Sequence, residues 1–416
     1  MEQNTKTLRR NLVFNTAGSL IYFGCQWLIT GLFVKQFSAG GAGLENTGLL
    51  ATAMAVTNIF LTLASYGMRT FQVSDIVEKY SNGTYITSRC VTVFAAIVLC
   101  ALYTVMSGYS GTQALCIYIF LMYKLLESIT DIFHGCCQKH DRMDIIGISY
   151  AARGVLSAAS VCAMMIFTHN LVLTLLVMTV LCYGFSLYYD VWHSRFLLAP
   201  LGSVTSRSVV QLLKECLPLA IYVFLNTATA SIPKLFLERI HGTTVMGIFH
   251  LVNSPVMILQ VGVAFLFTPF ITMFASKLIK KDKSGFLKSA VRISAFVAGI
   301  GIAAIAGALL IGRWGLGFLY GAELAKYSSL LVPMVVCAVL TALSLFLCML
   351  LTVLRDMKGL IISNLIGIGV GFCASLVLVA RYEMFGTTFA TVTALIVQCA
   401  ALCMFGMHSL RKQTAD

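Results

Sequence analysis

Apolar residues dominate long stretches of this chain, and only short polar breaks interrupt them. A helix needs roughly 20 mostly apolar residues to span the hydrocarbon core of a bilayer. Stretches of that length recur from near residue 11 to near residue 409. The pattern therefore predicts an all-α integral membrane protein of about twelve transmembrane helices, without a soluble domain. The predicted spans are 11–34, 46–67, 89–108, 113–133, 146–167, 171–191, 212–235, 245–269, 289–312, 328–353, 359–380 and 386–408.

The composition agrees with lipid as the solvent for most of the surface. Of the 416 residues, 59% are hydrophobic and 11% are charged. A soluble domain of this composition would expose large apolar patches to water. The fourteen cysteines lie mostly one at a time in apolar segments, where cysteine behaves as a small hydrophobe, so we expect no metal site. The chain has no Walker A loop, which excludes an ATP-hydrolysing pump, and we expect neither a cofactor nor a catalysed reaction.

Basic residues fall mainly on one side of the predicted membrane. Of the 29 Lys and Arg residues, 21 lie in one set of loops and helix ends, Arg89 among them, and six lie in the opposite set. We expect a multi-pass protein of the cytoplasmic (inner) membrane, and the positive-inside rule predicts that both termini lie in the cytoplasm. The same distribution explains most of the formal charge of +13 without a nucleic-acid partner. The remaining two, Lys124 and Arg153, fall inside predicted helices.

The longest break in the rhythm of the first half lies around residues 193–208, between the sixth and seventh predicted helices. This break divides the chain into six helices plus six. We therefore predict an N-terminal six-helix bundle at residues 1–191, a cytoplasmic linker at 192–211 and a C-terminal six-helix bundle at 212–416.

Charged residues inside a bilayer are costly and usually face a cavity or a partner. The fourth predicted helix carries Lys124, Glu127 and Asp131, spaced so that all three share one face. The fifth presents Arg153 at a depth that Glu127 or Asp131 can reach. One interpretation is a polar stripe along an aqueous cavity, where Lys124 and Arg153 offer positive charge to an anionic substrate. The other is internal neutralisation, with Arg153 paired to Asp131 and Lys124 paired to Glu127.

Two further charged groups lie near predicted helix ends. Arg69, at the cytoplasmic end of the second helix, either contacts a phosphate that enters from the cytoplasm or anchors the helix end at the interface. At the far end of the seventh helix, Lys234, Glu238 and Arg239 form either an exit-side gate or a solvated surface cluster.

Several segments between residues 10 and 280 resemble a known family. They are YGMRTFQVSDIVEKYSNGTYITSR (66–89), DIFHGCCQKHDRMDIIGISYAARGVLS (131–157), LLKECLPLAIYVFLN (212–226), SIPKLFLER (231–239) and MGIFHLVNSPVMI (246–258). These segments look like the corresponding stretches of bacterial polysaccharide-transporter flippases of the O-antigen type. That family belongs to the multidrug/oligosaccharidyl-lipid/polysaccharide (MOP) exporter superfamily.

The resemblance implies two six-helix bundles around a central cavity that opens alternately to the two sides. It also implies the cargo, an oligosaccharide on polyprenyl pyrophosphate, flipped to the external leaflet for surface polysaccharide biosynthesis. Arg69, Lys124 and Arg153 are the residues expected to hold the pyrophosphate and acidic sugars, with Asp75 and Gln138 as polar neighbours. The expected partners are membrane lipid, this lipid-linked oligosaccharide and other polysaccharide-assembly proteins. The sugar and the coupling ion, Na+ or H+, are left open.

Two other classes of membrane protein are alternatives. An ion-coupled exporter of small organic cations, similar to multidrug exporters of the MATE type in the same superfamily, would want a buried carboxylate in the first helix. Residues 11–34 contain none. A membrane-embedded glycosyl ligase or polymerase generally needs a polar catalytic domain or a long loop, whereas the longest external break here covers only residues 313–327.

Overall fold

A computed structural model describes the backbone of residues 2–38, 41–75, 78–109, 111–198 and 201–415. Side chains are described at those positions except 2–10, 12, 259–269, 271–272, 275, 279 and 413–415. Within this part of the chain all regular structure is helical. Contacts divide the chain into two compact units, Met1–Phe224, called unit 1, and Leu225–Asp416, called unit 2.

Unit 1 contains six long helices and the first part of a seventh. They are α1 (Glu2–Leu28, continued by the π-helical turn Ile29–Phe33 and by Val34–Gln36), α2 (Gly43–Ser65), α3 (Asn82–Met106), α4 (Gly111–Lys139), α5 (Met143–Thr168), α6 (Leu171–Leu198) and α7 (Ser206–His241). A short helix, Met68–Ser74, follows α2 after Tyr66 and Gly67, which have φ angles of 51° and 65°. Left-handed backbone is easy for glycine but unfavourable for tyrosine, so this break is a defined feature of the fold.

Unit 2 contains the remainder of α7 and five further helices. They are α8 (Thr243–Ile279), α9 (Lys283–Tyr320), α10 (Leu331–Val353), α11 (357–382) and α12 (384–415). The last two belong to one helical run, Met357–Ala415, which bends where Glu383 adopts φ 48° and ψ −120°. The short helices Ala322–Ala325 and Ser328–Leu330 connect α9 to α10.

Each predicted span falls on one of these twelve helices, which confirms the all-α membrane fold class. By length and apolar composition alone, nine helical stretches of the described residues qualify as spans, and the run formed by α11 and α12 counts as one of them. The charged helix α4 is not among the nine. The predicted linker at 192–211 is helical at both ends, because α6 continues to Leu198 and α7 begins at Ser206. The predicted bundle boundaries stay a prediction.

Glycines bring the backbones of α1 and α5 together inside unit 1. A Cβ atom on Gly18 would overlap the carbonyl group of Gly147, and one on Gly147 would overlap the carbonyl group of Phe14. Farther along, a Cβ atom on Gly154 would lie 2.8 Å from the Cα atom of Tyr22. Small residues allow membrane helices to approach this closely. The approach places α1 beside the charged residues of the neighbouring helices.

Candidate functional site

One face of α4 carries an ion pair within unit 1. Lys124 and Glu127 are three residues apart, and the Nζ atom of Lys124 lies 2.8 Å from Oε1 of Glu127. The pairing alternative for Lys124 is therefore the arrangement found. The pair is not sealed from its surroundings, since 12% of the Lys124 side chain and 23% of the Glu127 side chain remain exposed. Both groups therefore keep a small accessible surface.

Asp131, one turn farther along α4, bridges two arginines from different elements. Its Oδ1 atom lies 3.2 Å from Nη1 of Arg69 on the short helix, and its Oδ2 atom lies 3.2 Å from Nη2 of Arg89 on α3. Arg69 also donates to the side-chain oxygen of Gln138, at 3.3 Å from Nε and 3.0 Å from Nη2. The structure thus joins Arg69, Asp131 and Gln138 into one group. Arg69 keeps 25% of its side chain exposed.

Arg89 belongs to this group, although its position in the sequence indicated a loop or helix end. Helix α3 begins at Asn82 and not at 89, so Arg89 lies inside the helix with only 2% of its side chain exposed. Its Nη1 atom donates to the carbonyl oxygen of Ala64 at 2.7 Å and to Oγ of Ser128 at 3.2 Å. Arg89 therefore links α3 to α2 and α4 inside unit 1.

The sequence contains a signal for the earlier start of α3. The side chain of Ser81 accepts a hydrogen bond from the backbone N–H of Thr84, at 3.2 Å. Serine is among the preferred N-cap residues, because its hydroxyl satisfies a donor that the first helical turn leaves open. Hydropathy alone misses this cap, since the first turn of α3 is polar.

Arg153 does not pair with Asp131, so that predicted pairing is wrong. Its Nη1 atom donates to the hydroxyl of Thr130 at 3.0 Å, and its guanidinium carbon lies 5.1 Å from the ring centre of Tyr150. Arg153 also interacts electrostatically with Glu127. Only 2% of Arg153 is exposed, which places it inside unit 1 and not on its surface.

Uncharged polar side chains of α1 complete the group around Glu127. The hydroxyl of Tyr22 donates to the Glu127 carboxylate. The Nε2 atom of Gln26 donates to the hydroxyl of Tyr123 at 2.7 Å and to that of Ser157 at 3.2 Å. The contribution of α1 to this site is therefore hydrogen bonding, because the sequence from 11 to 36 contains no carboxylate.

Asp75 stabilises the connection between the short helix and α3. Its carboxylate accepts hydrogen bonds from the backbone N–H groups of Lys79 and Tyr80, at 2.9 and 3.2 Å, and from the hydroxyl of Tyr85 at 3.0 Å. Beside this connection, the Nζ atom of Lys79 lies 2.5 Å from Oε1 of Glu215. That hydrogen bond raises the pKa of Lys79 above its ordinary value. These contacts give Asp75 a structural role, because they attach the end of the short helix to the start of α3.

The three residues named as a gate lie within α7 in unit 2. Glu238 is buried, whereas Arg239 is exposed. Lys234 is half-buried and interacts electrostatically with His250 of α8 and Cys337 of α10. Arg239 is therefore at the surface, as a solvated cluster would require, whereas Lys234 and Glu238 are not.

A buried histidine and a buried aspartate extend the group in unit 1. The Nε2 atom of His134 on α4 lies 3.3 Å from Oδ1 of Asp190 on α6, and each side chain is 1% exposed. Together these charged and titratable side chains of unit 1 form a set that we call the charged cluster: Arg69, Arg89, Lys124, Arg153, Glu127, Asp131, Asp190 and His134.

The charged cluster holds four permanent cations and three carboxylates, which leaves one excess positive charge when His134 is neutral. In the described residues, no group of three or more His, Cys, Asp or Glu side chains is arranged to hold a metal ion. Lys and Arg side chains form strong charge-assisted hydrogen bonds with phosphate and carboxylate groups. The cluster is therefore suited to bind an anion through its partly exposed members.

Several solved structures similar to this chain are membrane transporters. The chain is similar to an inward-facing MATE family transporter of the MOP superfamily, with a TM-score of 0.73 and 12% identity over 95% of each chain. It is also similar to an outward-facing MATE family transporter, with a TM-score of 0.63 and 14% identity over 99% of this chain and 98% of that one.

A further similar structure is a MOP superfamily transporter from Pyrococcus furiosus, described by the reverse polarity of its binding pocket, which suggests a different function. The TM-score is 0.64, with 13% identity over 99% of this chain and 96% of that one. At such identities these likenesses establish the fold, which is that of the MOP superfamily transporters.

The family follows from the sequence match. Residues 42–276, more than half of the chain, match the family described as polysaccharide biosynthesis protein, and the chain belongs to it. A relative, the capsular polysaccharide biosynthesis protein CapF of Staphylococcus aureus, is 24% identical over 334 residues, which cover 78% of this chain and 80% of CapF. The match confirms the family that the five sequence segments resemble.

Proposed function

We propose that this protein is a flippase that moves polyprenyl-pyrophosphate-linked oligosaccharide from the cytoplasmic to the external leaflet, by alternating access, for surface polysaccharide biosynthesis. The observation that carries the proposal is the excess of positive charge in the charged cluster. The transporter fold and the polysaccharide biosynthesis family support it.

The headgroup of such a lipid needs a charged environment to cross the membrane. An unpaired pyrophosphate in hydrocarbon would lose its hydration at a very large cost in free energy. Basic side chains in a polar, water-accessible environment replace much of that hydration. The prenyl tail is as apolar as the surrounding lipid and stays in the bilayer while the headgroup moves.

Exposure assigns different tasks to the cationic residues. Lys124 and Arg69 are partly exposed, so they contact the pyrophosphate or acidic sugars directly. Their carboxylate partners, Glu127 and Asp131, hold them in place while the site is empty. Arg153 is buried, and it contributes its positive charge from behind this surface without touching the cargo.

The distribution of basic residues supports an orientation with both termini in the cytoplasm, and the family supports a location in the bacterial inner membrane. With this orientation, Lys234, Glu238 and Arg239 lie toward the external side, where they are candidates for an exit-side gate. Other polysaccharide-assembly proteins supply the lipid-linked oligosaccharide and consume it after flipping.

An exporter of small organic cations is the second candidate, since the similar solved structures include multidrug resistance transporters. Such a transporter binds its cargo through negative charge or aromatic rings. The charged cluster has the opposite balance, and α1 contributes Tyr22 and Gln26 to it in place of a carboxylate. The sign of the charge therefore favours an anionic cargo.

The test compares cells that lack this protein with cells complemented by the intact chain or by variants. We expect loss of surface glycan, together with accumulation of the lipid-linked precursor in the cytoplasmic leaflet. Lys124→Gln should reproduce the loss at equal protein level. Lys79→Gln, which removes an exposed lysine from an ion pair outside the charged cluster, should restore the glycan. Unchanged glycan in the deletion strain, with altered resistance to cationic drugs, would favour the exporter.

A further inference from the structure

His134 and Asp190 form a titratable pair deep inside unit 1. They come from α4 and α6, and the Nε2 atom of His134 lies 3.3 Å from Oδ1 of Asp190. Both side chains are 1% exposed. A buried carboxylate next to an imidazole is stable only with compensation, because burial penalises an isolated charge. His134 and Asp190 are too deeply buried to touch a ligand that binds to Lys124 and Arg69.

The free nitrogen of His134 is available to bind a proton. With the Nε2–H group donating to Asp190, the lone pair lies on Nδ1, and this atom has no hydrogen-bond partner among the described residues. The Nε and Nη2 atoms of the neighbouring Arg153 likewise have no hydrogen-bond partner among the described residues. Buried polar groups are normally hydrogen-bonded, so such a concentration requires a specific explanation.

Charged and titratable groups face the pair from each neighbouring element. Tyr150 of α5 packs its ring 5.1 Å from the His134 ring centre, and Arg153 of the same helix interacts electrostatically with both members of the pair. Arg69 of the short helix acts on His134 as well. The nearest charge on α4 itself is Asp131, one turn away, which is bound to two arginines. On α1, Tyr22 packs against Tyr150. Tyr189 of α6 and Cys137 of α4 interact electrostatically with Asp190, and Tyr189 also interacts with Arg142 and Asp144.

We infer that the pair of His134 and Asp190 is the proton-binding site that couples flipping to a proton gradient. The inference rests on the proposed function. A proton adds to the lone pair on Nδ1 of His134, and the net charge of the pair changes from −1 to 0. In the unprotonated state the pair offsets the charge of Arg153. In the protonated state that charge is available to the anion at the surface of the charged cluster. One proton therefore changes the affinity of the cluster for its cargo.

The chemistry of this site favours a proton over a sodium ion. Sodium is a hard cation that prefers several oxygen ligands, as other hard cations do. This site offers one carboxylate, an imidazole and a guanidinium, and no group of metal-binding side chains is found in the described part of the chain. An imidazole changes its charge near neutral pH, which suits a group that must take up and release a proton in each cycle.

The first experiment follows the histidine signals by 15N NMR in nanodiscs between about pH 5 and pH 9, the range in which imidazoles titrate. The signal lost in His134→Asn identifies His134. In Asp190→Asn its midpoint should fall, because the protonated imidazole loses its counter-charge. Arg153→Gln should raise the midpoint, since a like charge is removed. A midpoint that is the same in all variants would overturn the inference.

The second experiment measures flipping of a fluorescent polyprenyl-pyrophosphate sugar in proteoliposomes, with and without an imposed pH gradient. The intact protein should flip faster with the gradient in one direction by about 10-fold, the effect of a coupling free energy of about 1.4 kcal/mol. His134→Asn should flip at a rate that does not depend on the gradient, whereas His408→Asn, which changes an exposed histidine of α12, should behave as the intact protein. Gradient-dependent flipping in His134→Asn would overturn the inference and leave the flippase standing. Absence of flipping in the intact protein, with normal titration of His134, would instead remove the proposed function.

Discussion

Asp131→Asn removes the carboxylate that pairs with both Arg69 and Arg89, and it leaves the size of the side chain almost unchanged. The charge of Arg89 then stays buried, at 2% exposure, without its counter-ion. Removal of one partner from a buried ion pair costs about 3–5 kcal/mol. We expect about 3 kcal/mol, the lower end, because Asp131 is 21% exposed and Arg89 keeps its hydrogen bonds to Ala64 and Ser128.

Thermal unfolding of the purified protein is the assay, followed as loss of the monodisperse peak in size-exclusion chromatography. For a unit of this size, about 1 kcal/mol corresponds to a change of about 2–4 °C in Tm. The Tm of Asp131→Asn should therefore fall by about 6–12 °C. Heating rates must be equal for all variants, since unfolding that ends in aggregation depends on the rate of heating.

Two variants separate the role of Arg89 from a general effect of the substitution. Arg69→Gln removes the more exposed partner of the same carboxylate, so its Tm should fall by only about 1–3 °C, as partly exposed ion pairs contribute little. Arg89→Met combined with Asp131→Asn should recover part of the loss, because the buried charge itself is gone. An equal fall for Asp131→Asn and Arg69→Gln would refute the reasoning.

Four further variants test other features of unit 1. Gly147→Leu should abolish the folded peak because α1 and α5 can no longer close, whereas Gly184→Leu, where a Cβ atom meets nothing within 4 Å, should leave it intact. Tyr22→Phe removes a hydrogen bond to a carboxylate and should lower Tm by about 3–6 °C, the equivalent of about 1.5 kcal/mol. The ion pair of Lys79 raises its pKa, so its contribution is present below the ordinary lysine pKa and disappears only as pH rises through the higher value. The difference in Tm between Lys79→Gln and the intact protein should therefore stay constant from about pH 6 to pH 9.

Hydropathy predicts the helices well, because the spacing of apolar runs reflects the thickness of the bilayer. It locates helix ends poorly, because helices continue past the apolar region into polar residues. Helix α3 is the clearest case. Its first turn is capped by Ser81 and begins at Asn82, so Arg89 lies inside the helix and not in a loop. The break at Tyr66 and Gly67 is likewise set by local backbone geometry, which hydropathy does not report.

The charged cluster is only partly readable from the sequence. Spacing along one helix places Lys124 and Glu127 on the same face, and they form an ion pair as one interpretation expected. Partners on different helices depend on depth and rotation, which spacing does not fix. For this reason Asp131 pairs with arginines other than Arg153. Spacing along one helix likewise does not predict the contact of His134 with an aspartate 56 positions away.

The pairing within the charged cluster is itself suited to a carrier. A site of unpaired cations would bind phosphate more tightly, but each cation would be desolvated at high cost whenever the site was empty. Lys124 and Arg69 avoid this cost because each holds a carboxylate while it remains partly exposed. In the proposed function, an arriving phosphate would exchange one charge-assisted hydrogen bond for another of similar strength. The displaced carboxylates keep other partners, because Glu127 accepts a hydrogen bond from Tyr22 and Asp131 stays paired with Arg89. The reverse exchange would release the cargo.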